Sequence, residues 1–124
     1  MTSMSELRSA ILAVHRTLLD AERVAYERLF GRIETSGELL RLVIHDPWFG
    51  WLRPITALIA AMDEPAADDD DPELQAAELR ATTRELLHPV EDGSDFQKRY
   101  FEMMQASPDV VIAHVQMVRI LDRP

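Results

Sequence analysis

Three times this 124-residue chain sets an acid or a hydroxyl residue before a proline at the head of an apolar run: Asp46-Pro47, Asp71-Pro72 and Ser107-Pro108. A side-chain oxygen at that point accepts a backbone N–H from the first helical turn, and proline at the first helical position has no N–H to leave unpaired. Each pair therefore marks a helix start. Ser3 with Glu6, Thr35 with Glu38 and Ser94 with Gln97 have the spacing of a capping box and carry the same message. No internal repeat and no strand alternation competes with it. The fold class expected is all-α, a single-domain helical bundle of four longer helices plus one or two short ones over residues 1–124.

The apolar positions fill in the elements. From Met4 to Phe30, Leu7, Ile11, Val14, Leu18, Ala21 and Ala25 recur at steps of four and three, which places them on one face. The pairs Arg16/Asp20 and Arg23/Glu27 are spaced to meet across a turn, and Gly31 suits a C-terminal stop. A short second helix holds Leu39, Leu40, Leu42, Val43 and Ile44 and should end near His45, because a residue before proline is pushed out of the α region. A third begins at Pro47 with Trp48, Trp51, Leu52, Ile55, Leu58, Ile59 and Met62 as its buried stripe, and Pro54 should kink or divide it.

A fourth helix is expected from residue 72 to about 87, with Leu74, Ala77, Leu79, Ala81 and Leu86 buried. Its alanines suit close packing against a neighbour. Another follows Ser94, carrying Phe96, Tyr100, Phe101 and Met104 on one side. The last, from Pro108, is apolar nearly all round: Val110, Val111, Ile112, Val115, Val118, Ile120 and Leu121. β-branched residues also suit a strand, but the Ser-Pro-Asp start and the lack of a partner strand favour a helix surrounded by others.

Charge is local. The net charge is -9, and seven acids with no base lie from Asp63 to Glu73, in an acidic loop at about 63–72. Elsewhere 15 acids face 13 bases. No basic stripe exists, so nucleic-acid binding is not expected. The acidic segment would be repelled by an anionic membrane surface, and no apolar run approaches the ~18 residues of a membrane span. With no cysteine there is no disulfide framework or thiol chemistry, which suits a reducing cytosol. The N-terminus lacks the pattern of a signal peptide, so a cytoplasmic location is expected. Arginine supplies every base except Lys98, and alanine is abundant, as in GC-rich bacterial genomes.

The search for chemistry returns little. His-Glu-x-x-His does not occur, and the single Glu-x-x-His, Glu85 to His88, lacks the second copy that a dimetal bundle needs. His45 and His88 stand in last turns, where an imidazolium complements the helix dipole. His15 and His114 are expected as buried, hydrogen-bonded residues, and His114 is the better functional candidate because an ionisable group in an apolar helix is costly. The four contiguous aspartates, Asp68 to Asp71, lack the spaced ligands and glycine of a calcium loop and read as a solvated run. There is no phosphate-binding glycine loop and no nucleophile elbow. No cofactor and no metal are expected.

What is left is aromatic. Trp48 and Trp51 with Tyr100 and Phe101 could wall a pocket in which Arg53 holds an anion, form plain core, or meet a partner subunit. Within HDPWFGWLRP, only Gly50 and Arg53 lack a structural task. Candidate ligand-binding or interface residues are His45, Trp48, Trp51, Arg53, Tyr100 and His114. The stretch ELLRLVIHDPWFGWLRPITALIAAMDE, with DGSDFQKRY and SPDVVIAHV, resembles small uncharacterised bacterial all-helical proteins of this length. That resemblance implies a bacterial cytoplasmic helical protein and carries no activity, cofactor or catalytic residue with it. The leading expectation is a non-enzymatic bundle acting through protein contacts, as a homo-oligomer or with another protein. The alternative is a small-molecule binder with a pocket near Trp48, Trp51, Arg53 and Tyr100. A third is a metal-dependent enzyme using His45, His88 or His114.

Overall fold

The computed structural model describes residues 3–65 and 71–123. These form seven helices and no strand: α1 Met4–Phe30, α2 Ser36–His45, α3 Pro47–Gly50, α4 Arg53–Asp63, α5 Pro72–Leu86, α6 Asp95–Ala106 and α7 Pro108–Leu121. The all-α class therefore holds. Most of the acidic loop, residues 66–70, lies outside the described residues.

The helix starts follow local chemistry. Asp46 accepts the Trp48 backbone N–H at 2.8 Å and Asp71 that of Glu73 at 2.9 Å. Ser107 caps α7 through the Val110 N–H. Ser94 and Gln97 form the full reciprocal box. At Thr35 only half of it forms, because the Glu38 carboxylate accepts from Glu34 N–H instead. Gly31 closes α1 at φ 97°, a conformation that clashes with a Cβ and so favours glycine. Pro54 divides the third expected helix rather than kinking it. The chain makes a tight turn at Trp51 and Leu52, and Pro54 falls in the first turn of α4, where its missing N–H costs nothing.

α1 is the axis of the molecule. Leu7, Ile11, Val14 and Leu18 are fully buried against Leu52, Ile55 and Leu58 of the α3–α4 region, Phe96, Tyr100 and Met103 of α6, and Val110, Ala113, Met117 and Leu121 of α7. α7 runs antiparallel to it: Arg123 reaches Glu6 at 3.2 Å, while Asp20 and Asp109 share a groove at the other end. α4 is also antiparallel to α1, tied by Arg8 to Asp63 at 2.6 Å. Of the expected surface pairs on α1, Arg23–Glu27 forms at 3.6 Å, and no Arg16–Asp20 pair occurs among the described residues.

The burial expected on α5 and α7 needs correcting, and α2 stays outside the core. On α5, Leu74, Ala77 and Ala81 are exposed, while Thr83 is buried and bonds the Leu79 carbonyl at 2.7 Å. α5 packs along α4 and reaches α6 and α7 only near its C-terminal end, through Glu85 to Gln97 and Arg84 to Asp122, so little of its circumference is covered. α7 is not surrounded: Ile112 is 56% exposed and Val115 39%, because α1 and α6 cover only one side. α2 buries none of its residues. It lies beyond the Gly31 reversal with α3 as its main neighbour.

Candidate functional site

Trp48 stands on the four-residue helix α3 and Trp51 in the turn that follows it, and the residue between them that goes deepest is Phe49, at 1% exposure. Trp48 and Trp51 are half-buried. This corrects the expected stripe, and the indole N–H is the reason. A buried indole needs an acceptor, and both point theirs at one residue of α1. Trp48 Nε1 donates to the Glu22 backbone carbonyl at 3.3 Å, and Trp51 Nε1 donates to the Glu22 carboxylate at 2.9 Å.

Glu22 is the centre of this junction. It continues the 7, 11, 14, 18 series of α1 by one more step and is buried with the apolar residues, at 1% exposure. A buried carboxylate must be paired. Arg99 of α6 supplies the cation at 2.9 Å, lies 5.7 Å from the Trp51 ring centre, and also holds Glu102 at 2.9 Å. Burial works against the Arg99 charge, but the hydrogen bond to Glu102 and the charge of Glu22 outweigh it, so its pKa is raised above its ordinary value. The junction thus ties α1, the α3–α4 turn and α6 together by charge-assisted hydrogen bonds. One Glu22 oxygen takes the indole and the other the guanidinium. Neither is left as a free base.

Aromatic rings extend from both sides of Glu22. Trp48 meets Phe30 and Tyr26 edge-on at 5.9 and 6.1 Å, and Tyr26 meets Phe49 at 5.8 Å. Trp51 leads through Phe96 to Tyr100 and then His114, with centroids 5.4 to 5.8 Å apart. Tyr100 is fully buried, and its hydroxyl lies 2.7 Å from His114 Nδ1. Burial pushes the Tyr100 hydroxyl well above its usual range and lowers His114, which the charge of His88 lowers further. A neutral imidazole accepting the Tyr100 O–H at Nδ1 satisfies both. His114 is therefore half-buried and hydrogen-bonded, whereas His15 keeps a buried Nε2 with no partner. Burial lowers His15 as well.

The six candidate residues do not gather in one place. Trp51, Tyr100 and His114 belong to one chain of rings, and Trp48 lies across Glu22 from them. Arg53 is exposed and donates to the Ile44 carbonyl at 3.2 Å, satisfying the end of α2, which gives it the structural task the sequence withheld. His45 is exposed at that same end. A Cβ at Gly50 would meet Arg53 Cζ at an ordinary 3.9 Å, so no close approach requires glycine there. No group of three or more His, Cys, Asp or Glu able to hold a metal occurs among the described residues.

Open grooves flank α1. One, of about 600 Å³, runs past Glu22, Arg99 and Glu102 toward the start of α7. Another, of about 780 Å³, lies between α1, α7 and Leu39 of α2, and combines Leu12, Leu19 and Ile112 with His15, Arg16 and Gln116. Glu22, Arg99 and Phe49 escaped the sequence reading. The signal for Glu22 was its place on the apolar series of α1. Nothing local marks Arg99 among the other arginines. No helix among the described residues is long and apolar enough to cross a membrane. No family model matches this chain, and no curated protein or solved structure does.

Proposed function

We propose that this chain is a non-enzymatic helical-bundle protein that works through protein–protein contacts, with self-association first among them. In this reading α1, α5, α6 and α7 are the four longer helices of one domain, and α2, α3 and α4 are shorter pieces packed beside them. The observation that carries it is the amount of large apolar surface left in solvent on helices that are otherwise well formed. Ile112 and Val115 on α7, Leu40 and Ile44 on α2, and Leu29 and Phe30 at the end of α1 are all exposed. Scattered single apolar residues are ordinary, but several on one helix face mark a contact surface.

The chemistry supports the same side. The buried carboxylate is consumed by Trp51 and Arg99, and the buried tyrosine by His114. A small-molecule pocket near Trp48, Trp51, Arg53 and Tyr100 has less behind it, since each of these groups already bonds within the fold. The cysteine-free, arginine- and alanine-rich composition supports a bacterial cytoplasmic setting.

Sedimentation equilibrium over a micromolar concentration range tests the self-association. A mass that rises toward twice that of the chain is expected, and a constant monomer mass of 14.2 kDa would remove the reading.

A further inference from the structure

The outer face of α7 carries a charge pattern that fits its own copy. Asp109, Ile112, Gln116 and Arg119 follow one another at steps of three, four and three, so they form one stripe. All four are exposed, and Val115 beside them is 39% exposed. The stripe is acidic at one end, apolar in the middle and basic at the other end. Neither the Asp109 nor the Arg119 side chain makes a hydrogen bond or ion pair among the described residues.

Asp20 of α1 lines the same grooves as Asp109, with Arg16 and Arg23 beside it in one of them. Leu12 of α1, 37% exposed, lies beside the apolar centre. At the basic end Arg123 is held by Glu6, leaving Arg119 as the free charge.

We propose that a second copy of this chain docks on this face, α7 against α7 in antiparallel orientation, about a two-fold axis level with residue 114. This rests on the self-association reading above and names its surface. Asp109 and Arg119 are ten residues apart, about 15 Å along the helix. They are equidistant from position 114. An antiparallel two-fold pairing therefore sets Asp109 of each copy against Arg119 of the other, and Ile112 against the stem of Gln116. The two Val115 side chains close over the centre. A two-fold interface is self-complementary by construction, and a stripe with opposite charges at its two ends meets that requirement only when the copies run antiparallel. The antiparallel pairing also sets opposite ends of the two helix dipoles together.

Charge reversal tests this on the intact chain by sedimentation equilibrium. Asp109→Arg alone sets Arg against Arg119 twice, and Arg119→Asp alone sets Asp against Asp109 twice. Each should weaken association on the order of ten-fold, with helix content unchanged because both sites are exposed. An equimolar mixture of the two variants should form a heterodimer, since every contact between them joins opposite charges. The double variant should recover the homodimer. Added salt should narrow the differences between variants.

Association of both single variants at wild-type strength would overturn this face and leave self-association to another surface, α2 among them. Weakening without rescue in the mixture or the double variant would overturn the antiparallel pairing. A wild-type chain that stays monomeric would remove this inference together with the reading it rests on.

Discussion

Helices α2 and α7 are made of similar side chains and end in different surroundings. Both are capped by a hydroxyl, Thr35 for α2 and Ser107 for α7, and both are rich in leucine, isoleucine and valine. α7 lies along the 27-residue α1 and buries Val110, Ala113, Met117 and Leu121. α2 turns back after Gly31, brings Leu39 to the groove beside α1 and leaves none of its residues fully buried. Its ties are largely polar: Arg53 holds its last turn, while Arg23 and Glu27 hold Ile33 in the loop before it. Apolar content makes a helix willing to be covered. The length of neighbour alongside decides whether it is.

Truncations in the two helices should therefore differ widely. Met117→Ala removes a fully buried side chain and should cost about 2–5 kcal/mol. Leu40→Ala, at 60% exposure, should stay within about 0.5 kcal/mol. Urea unfolding of the two variants measures the gap, and equal losses would break the contrast.

The Glu22 junction comes next in size and is asymmetric. Arg99→Leu strands a buried carboxylate and should cost about 3 kcal/mol or more. Glu22→Leu should cost less, about 1–2 kcal/mol, because Arg99 is 37% exposed and keeps Glu102 while Trp51 loses its acceptor. Chemical denaturation of both, with the double variant, checks the order. An Arg99 variant milder than the Glu22 variant would contradict the view that the carboxylate is the group needing a partner.

Protonation gives a smaller effect. Burial lowers His15 and His114 below the ordinary 6.5, so the unfolded chain takes up these protons first as pH falls. Their contribution to stability is therefore greatest above about pH 6.5 and declines below it, as the pH moves toward the folded-state values. His15→Leu removes both the titration and the unpartnered Nε2. It should stabilise the fold by about 1 kcal/mol and reduce the loss of melting temperature between about pH 7.5 and pH 5.5. An unchanged pH slope in that variant would count against the assignment.

The smallest effect on stability is expected at Ile112, where replacement by Asp should move unfolding by no more than about 0.5 kcal/mol. The same change should sharply weaken association. Loss of stability in step with loss of association at dilute concentration would place Ile112 in the core instead.

What could be read from the sequence was the chemistry that acts over a few residues. Asp46, Asp71 and Ser107 bond N–H groups two or three positions on, so their spacing alone announced the helix starts. The Leu7, Ile11, Val14, Leu18 face was legible for the same reason. Which rings go deepest was not, because Trp48 and Trp51 bond an acceptor 26 and 29 residues away. The pairing of Glu22 with Arg99 spans 77 residues and has no local trace. The same gap misjudged α5 and α7: periodicity names a face, and only the assembled neighbours show how much of the circumference is covered.

The central claim is that the surface left bare on α7 is covered by a second copy. Sedimentation equilibrium of an equimolar mixture of the Asp109→Arg and Arg119→Asp chains tests it most directly, because each chain alone supplies the control. Two weakly associating proteins that form a stable heterodimer on mixing are the expected result. A mixture that sediments as the sum of its separate components would contradict it.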